Sequence, residues 1–290
     1  MKKTLTIVIV CSALAFLSVG CSKENTDGKL NIFVERLGGN NEKVLVNYDD
    51  ITNNQWFVSS GSETIGISSG SVDQKKYDIS LNSGGNYYIN YSGTGAIAAG
   101  YPGTRLMTTK STTGFSTVQI RVKDSGEDLV LFNNGNVKVR FPMAAYAEEG
   151  AQSLMFHHVT GAIAFSIKNT TENAVTLSKV NLSSDDNTMW YAAVYDVNSG
   201  TVSKGSGWGT KNVSDDYNIK DEDGNSGYAL AAGGEVFVIL PVPVCGSSVT
   251  LTVNLTVTGT VDRNAFSVTL GDGVSANTIY QLNTIQLTNE

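Results

Sequence analysis

Alternation of apolar and polar residues at period two is what most constrains how this chain can fold. It recurs at Leu30-Ile32-Val34, Val118-Ile120-Val122, Val137-Val139-Phe141, Ile163-Phe165-Ile167 and Val249-Leu251-Val253-Leu255-Val257. Residues two apart share one face of an extended backbone, so each run describes a strand with one buried side. The runs are rich in Val, Ile, Thr, Tyr and Phe, and no long stretch after Cys21 has the three-and-four spacing of an amphipathic helix. Turn clusters separate them, among them Asn82-Ser83-Gly84-Gly85-Asn86, Asn133-Asn134-Gly135-Asn136 and Gly271-Asp272-Gly273. Thirty glycines against four prolines suit many tight turns between strands. The sequence predicts an all-β protein, most simply two consecutive β-sandwiches.

The N-terminus reads as an export segment. Lys2 and Lys3 precede an apolar stretch, Leu5 to Val19, that is short for a bilayer span and ends at Leu17-Ser18-Val19-Gly20-Cys21. This order predicts removal of residues 1–20 and lipid on the Cys21 thiol, leaving a protein tethered to a membrane rather than embedded in it. Polar residues 21–28 form a flexible tether. The small, polar Tyr146-Ala147-Glu148-Glu149-Gly150-Ala151 separates two strand-rich halves. The expected domains are thus 29–148 and 149–290.

Loss of Lys2 and Lys3 lowers the basic residues from 20 to 18 against 27 acidic ones, and moves the net charge from −7 to −9. Such a surface repels phosphates, which argues against a nucleic-acid partner. With Cys11 removed and Cys21 lipidated, Cys245 alone remains, in an apolar run that predicts a buried thiol and no intramolecular disulfide. The only histidines, His157 and His158, are adjacent and point to opposite faces of a strand, a poor arrangement for one metal. Asp221-x-Asp223-x-Asn225 has alternating oxygens, but Ser226 and Ala232 stand where a calcium loop needs glycine and glutamate, so a plain turn is expected. Gly205-Ser206-Gly207-Trp208-Gly209 lacks the strand-to-helix setting of a phosphate loop. Glu148-Glu149 and Asp185-Asp186 read as solvated turns, and Trp190-Tyr191 with Trp208 as packing rather than a sugar platform. No catalytic residue, metal or cofactor is expected, and the chain is not read as an enzyme.

Four stretches, in this order, resemble the fimbrillin family, which includes the type V pilins of Bacteroidetes. They are Trp56 through Gly66-Ile67; Tyr87-Tyr88-Ile89-Asn90-Tyr91 followed by Ala98-Ala99-Gly100-Tyr101-Pro102; Ala144-Ala145-Tyr146-Ala147 followed by Leu154-Met155-Phe156-His157-His158-Val159; and Val236-Phe237-Val238-Ile239-Leu240-Pro241 with Tyr280-Gln281-Leu282. Ser22-Lys23-Glu24 also resembles the charged export tag of surface lipoproteins from such bacteria. The resemblance implies two Ig-like or transthyretin-like β-sandwich domains, a lipid anchor in the outer membrane, and assembly into fimbriae. It also implies a trypsin-like protease that cuts behind the first strand, here between Arg36 and Leu37. A strand from another fimbrial subunit then fills the groove. A host or bacterial surface ligand is a further implied partner.

The residues suit that role. Leu30, Ile32 and Val34 share one face of the first strand, and their removal exposes an apolar trough between unpaired backbone edges. Arg36 follows at once, then Leu37-Gly38-Gly39-Asn40-Asn41, which reads as a flexible run open to a protease, although Glu35 puts an acidic neighbour before the cut. Arg105 reads as a second exposed arginine, with no first strand before it. At the C-terminus Tyr280 and Leu282 share one parity and Ile285 and Leu287 the other, so a break is expected at Asn283-Thr284. The competing reading is a permanently lipid-anchored protein that binds glycan or host protein and never polymerises.

Overall fold

The computed structural model describes residues 28–35, 37–38, 63–84, 86–122, 127–133, 135, 137–185, 192–205, 214–258 and 265–289. Among them every regular element is a strand, as the alternation predicts. The first strands are β1 (Lys29–Val34), β2 (Thr64–Ser68), β3 (Lys75–Asp78), β4 (Ser80–Leu81), β5 (Tyr87–Asn90) and β6 (Ile97–Tyr101). Next come β7 (Thr117–Arg121), β8 (Glu127–Leu131), β9 (Val137–Lys138), β10 (Met143–Ala147) and β11 (Ser153–His158). The long β12 (Thr160–Asn169) and β13 (Val175–Ser184) are followed by β14 (Ala192–Asp196), β15 (Val202–Lys204), β16 (Ser214–Lys220) and β17 (Tyr228–Leu230). The chain closes with β18 (Glu235–Pro243), β19 (Val249–Thr258), β20 (Phe266–Leu270), β21 (Ile279–Gln281) and β22 (Ile285–Leu287).

The first core lies between two four-stranded layers, β3-β2-β6-β10 and β11-β1-β5-β4. They join at one corner. Residues Ser153 to Phe156 of β11 pair with β1, and the next two, His157 and His158, pair with β10. Such strand switching turns one sheet into two facing layers. Leu30, Ile32, Ile65, Ile67, Ile89, Met143, Leu154 and Phe156 meet between them. The second core lies between β18-β12, extended by β21 and β22, and the larger sheet β20-β19-β13-β16-β8-β9. It is filled by alternating residues such as Ile163, Phe165, Val180, Leu182, Val238, Leu240, Leu251 and Val253.

A small third sheet, β15-β14-β7, packs Val118, Ile120, Ala193 and Tyr195 onto Ala98 of β6 and Ala144 of β10. Ala99 and Ala145 face the first core instead. Strands β6 and β10 are therefore covered on both faces, which explains the small side chains of Ala98-Ala99-Gly100 and Ala144-Ala145.

Strand pairing runs across the expected border at 148/149. β7 pairs with β14, β8 runs parallel to β16, and β11 completes the first layer pair through β1. At the C-terminus the expected break is present: β21 and β22 lie separately, both parallel to β12. Ile285 and Leu287 are buried, and the Thr170 N–H donates to the Leu287 carbonyl at 2.9 Å.

Candidate functional site

The site begins with β1, which lies inside its sheet rather than at an edge. It runs parallel to β11 from Asn31↔Ser153 to Val34↔Phe156 and antiparallel to β5 from Lys29↔Asn90 to Ile32↔Tyr87. Leu30 and Ile32 are 2% and 4% exposed, and the half-buried Val34 touches both large cores. Leu30 and Ile32, so buried, contribute roughly 1.5–3 kcal/mol each. On the outer face Phe33 sits beside Met155, both about half exposed, and the Lys29 ammonium lies 5.3 Å from the centre of the Tyr88 ring. Withdrawing β1 would leave two rows of unpaired backbone groups, on β5 and β11, flanking an apolar trough.

The far end of β1 is pinned. The Glu35 N–H donates to the Phe156 carbonyl at 2.8 Å, and the Glu35 carboxylate meets His157 Nδ1 at 3.2 Å. The His157 hydrogen bond holds the Glu35 carboxyl below its ordinary pKa despite partial burial. His157 stacks on Tyr195, with ring centroids 5.2 Å apart. Its neighbour His158 is fully buried with its ring edge-on to Phe141, and burial lowers its pKa to about 4. The two histidines thus occupy opposite environments, as their adjacency requires.

Of the two residues assigned to the cut, Arg36 lies outside the described residues, as does Cys21. Leu37 departs from expectation. It is 1% exposed and belongs to the second core, and the Gly38 N–H donates to Asn277 Oδ1 at 2.9 Å. Leu37-Gly38 is therefore not an open run: an apolar side chain immediately after a strand is drawn into the nearest core. A cavity of about 690 Å³ borders this junction, lined by Glu35, His157, Lys204, Cys245, Asp272 and Asn277 among others.

Arg105 also departs from expectation, being 2% exposed. Its guanidinium pairs with Glu127 and donates to the Val122 carbonyl at 3.1 Å. Arg140 binds Glu63 at 3.0 Å and approaches Glu127 at 3.9 Å, while the Tyr101 hydroxyl donates to Glu63 Oε2 at 3.0 Å. These ion pairs raise the Arg140 pKa against the opposing effect of burial, and burial beside Glu63 raises that of Tyr101 well above its ordinary value. Gly103 permits this arrangement, because a Cβ there would come within 2.9 Å of the Ile65 backbone. The network bridges Glu63, just before β2, and Tyr101 of β6 to Glu127 of β8 in the large second sheet. Both carboxylates are neutralised by arginine, which makes the network a clamp. No local sequence pattern marks it, since Arg105 and Glu127 are far apart along the chain.

Elsewhere Cys245 is buried, and Asp221 Oδ1 accepts the N–H groups of Asp223 and Asn225 as in a turn. Among the described residues no group of three His, Cys, Asp or Glu side chains could hold a metal ion. Trp56, Trp190, Tyr191 and Trp208 lie outside them.

No family model and no curated protein matches this chain. Solved structures do. A Bacteroides ovatus protein provisionally described as a cell adhesion protein is 16% identical, with a TM-score of 0.42, over 90% of this chain and 95% of its own. A fimbrial protein from Bacteroides vulgatus is 14% identical, with a TM-score of 0.39, over 90% and 98%. The tip fimbrial protein Mfa3 from Porphyromonas gingivalis, truncated at its C-terminus, is 10% identical, with a TM-score of 0.32, over 88% and 94%. These matches span most of this chain and nearly all of each neighbour.

Proposed function

We propose that this chain is a non-enzymatic fimbrial or adhesive subunit, exported as a lipoprotein through Cys21 and held at the outer membrane. A trypsin-like protease cuts after Arg36, β1 leaves, and a strand from another subunit takes its place. The observation that carries this reading is the interior position of β1 between β5 and β11. An edge strand lost to proteolysis would leave one new edge, whereas an interior strand leaves a slot with two, the arrangement that binds an added strand most completely. The lipoprotein signal and the family resemblance support the same reading. An Arg36→Ala variant expressed at the cell surface is expected to lose the high-mass ladder of assembled subunits while keeping its monomer fold. A ladder equal to that of the wild type would overturn it.

One observation favours the second reading, a permanently anchored binding protein for glycan or host protein. Leu37 buried in the second core holds the segment that a protease must extend. Under that reading β1 never leaves, and surface ligands meet the loops.

A further inference from the structure

The row of side chains that β1 sends into the first core begins at Leu30. Leu30 and Ile32 fill the core from β1, and Gly28 stands two residues before Leu30, just ahead of the strand. Gly28 has no side chain, and its φ of +62° turns the backbone away from the extended path. A cavity of about 600 Å³ lies beside it, lined by Leu30, Tyr91, Thr94, Ile97 and Ala151 among others. A Cβ on Gly28 would meet only the Tyr91 carbonyl, at 3.6 Å. Of the cavity's lining, Leu30 and Ile97 belong to the first core, and Tyr91 and Ala151 pack against it. Both rails of the slot reach it: the Tyr91 N–H donates to the Gly28 carbonyl at 2.7 Å, and the Asn31 N–H to the Gln152 carbonyl at 3.0 Å.

We propose that this cavity is an unfilled side-chain position of the β1 slot, and that its occupant is an aliphatic side chain on a strand from another subunit. The inference rests on the strand-removal reading above. A strand in the register and direction of β1, with Ile, Leu or Val two residues before the position of Leu30, buries one side chain more than β1 does. Such a residue adopts ordinary extended backbone where Gly28 does not. Burying one further aliphatic side chain corresponds to roughly ten- to a hundredfold in equilibrium constant. The resident strand is thus the weaker occupant of its own slot, which gives exchange a direction. Glu149 at the rim, accepting the Gly95 N–H at 3.2 Å, selects against an acidic residue at the mouth.

The test uses the full mature chain cut after Arg36 by trypsin, with β1 still seated. Two synthetic peptides of residues 27–35 compete for the slot, one natural and one carrying Gly28→Ile, and mass spectrometry reads the released strand. The Gly28→Ile peptide is expected to displace β1 at least tenfold more effectively. Ala151→Phe, which fills the cavity from the protein side, is expected to erase that advantage while leaving displacement by the natural peptide unchanged. Thr94→Trp at the exposed rim replaces it if Ala151→Phe does not fold. Equal displacement by both peptides would overturn the subsite alone. Failure to cut after Arg36, or no displacement by either peptide, would remove the strand-removal reading and the subsite with it.

Discussion

His158 makes the end of β1 sensitive to acid. Its pKa is about 4 in the folded chain and near 6.5 when exposed, so the unfolded chain takes up the proton first as pH falls. The stability held by neutral His158 is complete above pH 6.5 and declines as pH drops toward 4. Between pH 7 and pH 5 the loss is about 2 kcal/mol. Glu35 adds to it lower down, because its depressed pKa makes the native state resist protonation of that carboxylate. Thermal melts across this range are expected to show a falling Tm in the wild type and a flatter profile in His158→Leu; parallel profiles would contradict the assignment. The arginine clamp makes a second residue-scale prediction. Glu127→Ala leaves the guanidinium of Arg105 buried without its partner and is expected to cost about 3–5 kcal/mol in urea denaturation. The double variant with Arg105→Met is expected to recover at least 1 kcal/mol, since it removes the stranded charge.

Strand β1 illustrates what an element reveals through its sequence. Its parity is legible: Leu30 and Ile32 face the core and Phe33 does not. Ile32→Ala is accordingly expected to cost about 2–5 kcal/mol, and Phe33→Ala less than about 1 kcal/mol, in the same denaturation assay. Similar costs would mean that β1 is not seated as described. The break between β21 and β22 was legible for the same reason, as a change of parity. Pairing partners were not. Neither the parallel pairing of β1 with β11 nor that of β8 with β16 has a local signature, because register between distant strands depends on the packing of the whole sheet. The burial of Arg105 is not legible for a like reason: it depends on Glu127, which a distant strand supplies. Leu37 reads as a loop residue because glycine and asparagine follow it, while its apolar side chain finds a core that residues far along the chain supply.

At the scale of the molecule the two cores are tied at several points: through Val34 and Leu37, through the Arg105–Glu127–Arg140–Glu63 clamp, and through strands that cross the midpoint of the chain. Leu37 is the tie that bears on the proposed cleavage. A protease needs several residues in extended form, so cutting after Arg36 requires Leu37 to leave the second core first. Leu37→Ala is expected to speed trypsin cleavage there at least tenfold, because the local opening becomes easier by about 2 kcal/mol or more. Leu287→Ala, which weakens the same core away from the cut, is expected to leave that rate much less changed; equal acceleration would place the barrier in global unfolding instead. The central claim is that β1 is a temporary strand. The direct test is the N-terminal mass of the protein recovered from the cell surface. A mature chain beginning at Leu37 is the predicted result; a lipidated Cys21 start in every molecule would contradict it.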